Sequence, residues 1–255
     1  MIELELLDLL WALGLMAAAM GLSSWRGLGL TWNLAIATGR TVLQLFAVGY
    51  FLAVVFEWRN PWAVLAVLMI MLTIAAVVAR NRISKKMVRL LPMVWGCLLT
   101  STALTLAYTN LLVIRPETWY EPRYVIPLAG IVLGNAMNAA SIAGERLVGS
   151  LQNSRLEIET HLSLGATPDQ AIQKYRREAV KAGLIPTLNA MMVVGVVTLP
   201  GIITGQLMSG VSPLNAAGYQ MIIMFMLAFS TLLTAILVTW AICRQAFNQA
   251  AQLIL

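Results

Sequence analysis

Trp62-Ala-Val-Leu-Ala-Val-Leu-Met-Ile-Met-Leu-Thr-Ile-Ala-Ala-Val-Val-Ala79 contains one hydroxyl and no charge, and Arg80-Asn-Arg-Ile-Ser-Lys-Lys-Met-Val-Arg89 follows it directly. A helix needs about 20 apolar residues to cross the roughly 30 Å hydrocarbon core of a bilayer. A soluble helix of that length would show a polar face at period 3.6, and this stretch has none. The five basic side chains that end it form a short charged loop, the place where the rule that positive loops stay in the cytoplasm applies best.

Working outward, apolar blocks of similar length predict seven spanning helices, at 4–22, 34–56, 62–79, 91–114, 125–143, 185–208 and 218–242. The connecting segments then alternate sides. Fourteen of the 17 basic residues fall on the Arg80–Arg89 side, and only Arg59, Arg115 and Arg123 on the other. This asymmetry predicts an N-terminus outside and a C-terminus inside. The expected fold is an all-α integral membrane protein, a single transmembrane domain over 1–255. Composition agrees: 60% of residues are hydrophobic and 11% charged, against about 25% charged in soluble domains. The net charge of +6 fits a cytoplasmic surface facing anionic lipid, and no basic–aromatic stripe points to nucleic acid. The acidic start (Glu3, Glu5, Asp8) is unlike a signal peptide, which begins positive. Cys97 and Cys243 are too few and too far apart for a disulfide framework or metal motif.

Between the fifth and sixth spans lies the largest soluble piece, about 144–184. Ser154-Arg-Leu-Glu157 and Thr167-Pro-Asp-Gln170 both have the spacing of a capping box, in which the first side chain and the fourth satisfy each other's backbone donors. Gly165 stands between the two predicted helices, and Gly183 is expected to end the second. Ile172, Tyr175 and Ala179 form one apolar stripe on that helix. Such a segment is either a solvated connector or a docking surface for a partner protein.

The spans hold few polar groups. The fifth carries Gly130, Gly134, Asn135, Met137 and Asn138; the sixth carries Asn189, Met191, Met192, Thr198, Pro200, Gly201, Gly205, Gln206 and Met208. Lipid cannot satisfy an amide, so these face protein, as interhelical hydrogen bonds, or line a substrate path. Gly130/Gly134 and Gly201/Gly205 have the spacing that lets helices approach closely. Pro200-Gly201 should break the sixth span near its outer end. Methionine thioethers suit soft metal ions, so Met137, Met191, Met192 and Met208 are weak candidate metal contacts; methionine in a span is far more often apolar filler. No P-loop pattern occurs, so ATP would have to be hydrolysed by another chain. The only histidine, His161, argues against a His-based catalytic or metal site within one chain. No acidic residue lies deep in a span, which argues against an ion-coupled carrier.

Glu159-Thr-His-Leu-Ser-Leu-Gly165-Ala-Thr-Pro168 resembles the "EAA" coupling loop of ABC-transporter permeases, with Glu six positions before Gly; Thr160 and His161 replace the two alanines. Five motifs in order extend the resemblance over nearly the whole chain: Leu133-Gly-Asn-Ala-Met-Asn138, Leu162-Ser-Leu-Gly-Ala-Thr-Pro168, Ile185-Pro-Thr187, Leu199-Pro-Gly201 and Tyr219-Gln220. They are similar to the FetB-type iron-export permeases and the plant aluminium-tolerance permeases. That resemblance implies a permease of the bacterial inner membrane. It further implies two copies pairing with a separate, FetA-like ATPase that carries ATP and Mg, with no cofactor in this chain. ATPase docking would fall to Glu159, His161, Leu164, Gly165, Ala166, Thr167 and Pro168. Asn135, Asn138, Asn189, Thr198 and Gln206 are the expected substrate path. Cargo is iron by the bacterial relatives and a nucleotide sugar by the plant ones. Family members commonly carry Asp and Lys three apart after Ile-Pro-Thr; here those positions are Asn189 and Met192. An ATP-independent carrier or channel remains the alternative.

Overall fold

The computed structural model describes residues 6–58, 60–84, 87, 90–116, 118–248 and 252–253. The acidic Glu3 and Glu5 and the basic Arg59, Lys85, Lys86 and Arg89 used above lie outside the described residues. The chain divides into two compact units, 1–59 and 60–255.

The first unit is a pair of helices in contact, α1 (Leu6–Trp25) and α2 (Thr31–Trp58). Gly27 and Gly29 at φ 62 and 68 turn the chain between them, and the hydroxyl of Thr31 donates to that of Ser23 at 3.4 Å. Both helices are apolar on all sides and mostly exposed, as expected of helices whose solvent is lipid. Arg40 lies inside α2 and not in a loop.

The second unit contains α3 (Pro61–Ile83), α4 (Leu90–Tyr108) with a π-helical continuation (Thr109–Ile114), α5 (Pro122–Asn153), α6 (Arg155–Ser163), α7 (Pro168–Val193), α8 (Gly201–Met208) and α9 (Pro213–Ala246). Asn60 caps α3 by accepting from the N–H of Trp62 at 2.9 Å, with Pro61 at the first helical position. Helix α5 is central and packs against α3, α4, α7 and α9. The main core joins Leu72, Ala76, Ala79 and Ile83 of α3, Leu90, Val94 and Leu98 of α4, Ala136, Ala140 and Leu147 of α5, and Val238 and Ile242 of α9.

A hydroxyl seam closes α4 on α9. Ser101, Thr102 and Thr105 face Ser230, Thr231 and Thr234 as buried groups, and the Thr234 hydroxyl donates to that of Ser101 at 2.6 Å. Most of the others return a hydrogen bond to their own helix three or four residues back, the usual way a hydroxyl is satisfied among apolar neighbours.

Among the described residues, six helices are long and apolar enough to cross a membrane: Asp8–Trp25, Thr31–Glu57, Pro61–Ile83, Leu90–Ile114, Pro122–Asn153 and Pro213–Ala246. These match six of the seven predicted spans. The sixth predicted span, 185–208, is not one helix: α7 ends at Val193 and α8 begins only at Gly201. Most of the segment 144–184 is helical and continuous with the flanking helices. Helix α5 runs on to Asn153, and α7 passes through Gly183 without a break. Gly144 and Gly183 are contact points and not helix stops. A Cβ on Gly183 would stand 3.0 Å from the carbonyl oxygen of Ala139 and 3.0 Å from Cβ of Ala143, and one on Gly144 would stand 2.6 Å from the Ile83 side chain. Tertiary packing offsets the roughly 1 kcal/mol that glycine costs a helix. Gly130 has a single near neighbour, Met71, while Gly134, Gly201 and Gly205 have none within 4 Å. The two glycine pairs expected to pack closely therefore do not do so within one chain, apart from the Gly130 contact.

Candidate functional site

Two features stand out: a helical hairpin at one end of the second unit, and the interruption between α7 and α8.

The hairpin is α6, a short turn, and the first turns of α7. Its turn is set by local chemistry. Gly165 sits at φ 91. The N–H of Ala166 bonds the carbonyl of His161 at 3.0 Å, and that of Gly165 bonds Leu162 at 3.0 Å, the double closure of a helix that ends on a left-handed glycine. The chain then enters α7 through Thr167, whose hydroxyl accepts from the N–H of Gln170 while the Gln170 amide oxygen accepts from the N–H of Thr167. Pro168 takes the first helical position, and Asp169 lies in the first turn, where the helix dipole favours a carboxylate.

The box expected at Ser154 does not form. Ser154 stands at φ −106 and ψ 23 with no side-chain cap. A capping serine needs an extended backbone, but α5 continues up to residue 153 and leaves Ser154 a single near-helical joint. Glu159 is paired within its own helix, accepting from Nε of Arg155 at 2.7 Å. Ile158, Ile172, Tyr175 and Ala179 are buried under the hairpin, so the apolar stripe read from the sequence faces inward. Burial raises the Tyr175 pKa above the ordinary phenol value, the Ser154 hydroxyl beside it opposing the shift and the Glu157 carboxylate adding to it. The outer face carries two unpartnered apolar side chains, Leu156 and Leu164, each 80% exposed. Leu156 was not singled out in the sequence; its signal was an apolar residue off the buried stripe of a short polar helix. Glu159, His161, Gly165 and Thr167 are exposed beside them, with Ala166 and Pro168 half-buried.

At the second feature, α7 stops at Val193 and the chain turns through Gly195 at φ 81. The N–H of Gly195 bonds the carbonyl of Thr198, and the N–H groups of Val197 and Thr198 return to Val193. Pro200 then caps α8. The break is thus earlier than Pro200-Gly201 alone suggested, because Gly195 opens it and Pro200 ends it. Met191 and Val194 before the break, and Ile202 after it, pack on the same patch of α9: Ile223, Met224 and Leu227. Val196, Val197 and Leu199 are 88%, 77% and 61% exposed.

Three of the five candidate path residues lie at similar depth. Gly183 touches α5 at Ala139, and at about 1.5 Å of rise per residue Asn135, Asn138 and Asn189 all lie within roughly 9 Å of that level. Asn138 and Asn189 are exposed in the single chain; Asn135 is half-buried and donates to its own helix at the carbonyl of Ile131, 2.8 Å. Thr198 is exposed in the break. Gln206 on α8 and Gln220 on α9, on either side of the α8–α9 turn, each bury an amide oxygen without a partner. Gln220 was passed over as a path residue, although an amide in an apolar helix is the same signal that marked Asn135. The methionines are not gathered. Met137 packs on the main core and Met191 on the α9 patch, while Met192 and Met208 are 73% and 70% exposed. Among the described residues no three His, Cys, Asp or Glu side chains come together as a metal site.

Several relatives cover nearly all of the chain. The UPF0014 membrane protein slr1647 of Synechocystis sp. is 56% identical over 254 residues, covering 100% of this chain and 98% of its own. The UPF0014 membrane protein STAR2 of Oryza sativa is 33% identical over 240 residues, 94% of this chain and 82% of its own. The probable iron export permease protein FetB of Escherichia coli is 31% identical over 243 residues, 95% of this chain and 92% of its own. No solved structure matches the chain. The resemblance read from five short motifs therefore extends over the full sequence, and with a family model matching residues 6–247 the chain belongs to the membrane proteins described as Uncharacterised protein family (UPF0014).

Proposed function

We propose that this protein is the membrane-spanning permease subunit of an ATP-driven exporter in a bacterial plasma membrane, working as two copies with a separate ATPase chain that carries ATP and Mg. Iron export is the first cargo to test, because the FetB relative bears that name. The carrying observation is the interruption between α7 and α8. Its contact patch on α9, Ile223 to Leu227, begins 10 residues past Pro213, roughly 15–20 Å along the helix. Reading α9 as a span puts the break near the middle of the bilayer. Non-helical backbone at that depth is tolerated only where protein or a water-filled cavity covers it. In one chain residues 195–199 are exposed, as are Asn138 and Asn189. A second copy facing this surface would cover the break and line a path between the copies with amides.

On this reading the end of α7 and α8 together make a broken seventh crossing. That crossing places the N-terminus outside and the C-terminus inside, as the basic asymmetry requires, within a single permease domain. Discontinuous helices at the midplane are a recurrent way to build a transport site. The α6–α7 hairpin would then face the cytoplasm, with Leu156 and Leu164 as apolar contacts for the ATPase and Glu159, His161, Gly165, Ala166, Thr167 and Pro168 around them. The neutral pair Asn189 and Met192, where family members commonly carry Asp and Lys, favours a second cargo reading: a hydroxyl-rich solute such as a nucleotide sugar.

Co-purification with the ATPase, followed by ATP hydrolysis in the presence of iron or of a nucleotide sugar, separates the cargoes; a chain that transports without any ATPase defeats the reading. Asn138→Ala and Gln206→Ala should keep expression and pairing but change solute-stimulated hydrolysis. If both lose only thermal stability at full specific activity, the amides serve packing and the path is wrong.

A further inference from the structure

Near the C-terminal end of α9 a groove of about 650 Å³ opens between α7 and α9. Its rim is basic: Arg176, Arg177 and Lys181 line it from α7. Arg244 lies above, its guanidinium 4.1 Å from the centre of the Trp240 ring. Among the described residues the carboxylate of Asp169 answers them, at 3.4 Å from Arg176, with Asp169 itself 81% exposed. Its wall is apolar, formed by Val180 and by Ile236, Leu237 and Trp240.

The order of these groups along α9 matters. Arg244, Trp240 and Ile236 are spaced four apart, so they stand on one face about 6 Å apart in depth. That face passes from charge, through the amphipathic indole that prefers the interface, to pure hydrocarbon. Lys181 and Arg177, also four apart, face it from α7. A phospholipid has the same sequence of polarity over the same distance. Basic pockets between membrane helices attract anionic headgroups, and guanidinium groups match phosphate geometry. We infer that this groove binds an anionic phospholipid of the adjacent leaflet, its phosphate held by Arg176, Arg177 and Lys181 and an acyl chain lying over Trp240 and Ile236. The inference needs only a membrane setting and is independent of cargo, ATPase and direction of transport.

The test uses the purified full chain in detergent, with phosphatidylglycerol, phosphatidylcholine and inorganic phosphate as probes, read by native mass spectrometry and thermal midpoint. Phosphatidylglycerol should remain bound and raise the midpoint, and phosphatidylcholine should do neither. The triple variant R176Q/R177Q/K181Q should lose roughly a hundredfold in phosphatidylglycerol affinity, while Arg146→Gln, away from the groove, should lose none. Arg177 and Lys181 are exposed, so the double variant R177Q/K181Q gives the same readout should the triple variant unfold, with a smaller loss. Equal retention of both lipids, unchanged phosphatidylglycerol binding in the variants, or a full shift from phosphate alone that phosphatidylglycerol does not compete away would each overturn the assignment.

Discussion

Replacing Gly165 probes the docking hairpin at its most constrained point. A Cβ built there meets no atom within 4 Å, so lack of space plays no part. The whole effect comes from the backbone, which stands at φ 91. A left-handed conformation costs an ordinary L-residue about 1–2 kcal/mol, and less for asparagine, whose side chain can bond locally. A β-branched residue is the worst case. Between 1 and 2 kcal/mol is a factor of roughly 5–30 in the ratio of closed to open turn. If the ATPase recognises only the closed turn, its apparent Kd rises as the closed fraction falls, by at most that factor. Gly165→Val should therefore weaken ATPase docking, with a ceiling of about 30-fold, and Gly165→Asn by clearly less. The midpoint of global unfolding should barely move, because the turn opens locally and Gly165 takes no part in the main core. The assay is titration of the ATPase subunit onto permease held in nanodiscs, with binding, ATP hydrolysis and thermal midpoint read on each variant. If Val docks and stimulates hydrolysis as well as glycine does, the hairpin is not the docking element. If Asn and Val are equally poor, backbone conformation is not the cause.

Gly183→Val should destabilise the protein by about 1–3 kcal/mol through overpacking against Ala139 and Ala143, whereas Gly134→Ala, inside α5 with nothing within 4 Å of the new Cβ, should stabilise by up to about 1 kcal/mol in the same denaturant titration. Ser101→Ala and Thr234→Val should each weaken the α4–α9 seam, with a double-mutant coupling of roughly 0.6 kcal/mol for their shared hydrogen bond; zero coupling would mean that each hydroxyl is satisfied by its own helix. In a background lacking Cys97 and Cys243, a cysteine at Thr118 should react with an impermeant reagent from outside intact cells and one at His161 only after lysis, and the reverse pattern would invert the proposed topology.

The parts of this protein that were legible in its sequence are those set by solvent and by local backbone chemistry. Long uncharged blocks such as Trp62–Ala79 have only one stable form in lipid, a helix, so six helices long and apolar enough to cross could be read directly and are present among the described residues. The turn at Gly165 and the box at Thr167–Gln170 depend on residues within a few positions of each other, and both formed as read. What the sequence could not decide were choices made by distant partners. Gly183 looked like a stop, yet it lies inside α7, where the Ala139 carbonyl and the Ala143 side chain of α5 come too close for any larger residue. Ser154 had the spacing of a cap but lacked its backbone, because α5 ran on into it. The sixth span looked continuous by hydropathy, while packing of both Met191 and Ile202 on one patch of α9 held the chain open between them. Local rules set which segments become helices and how short turns close; where a helix ends, and which glycine is a break and which a contact, depended on the neighbour that tertiary packing brought within 3 Å.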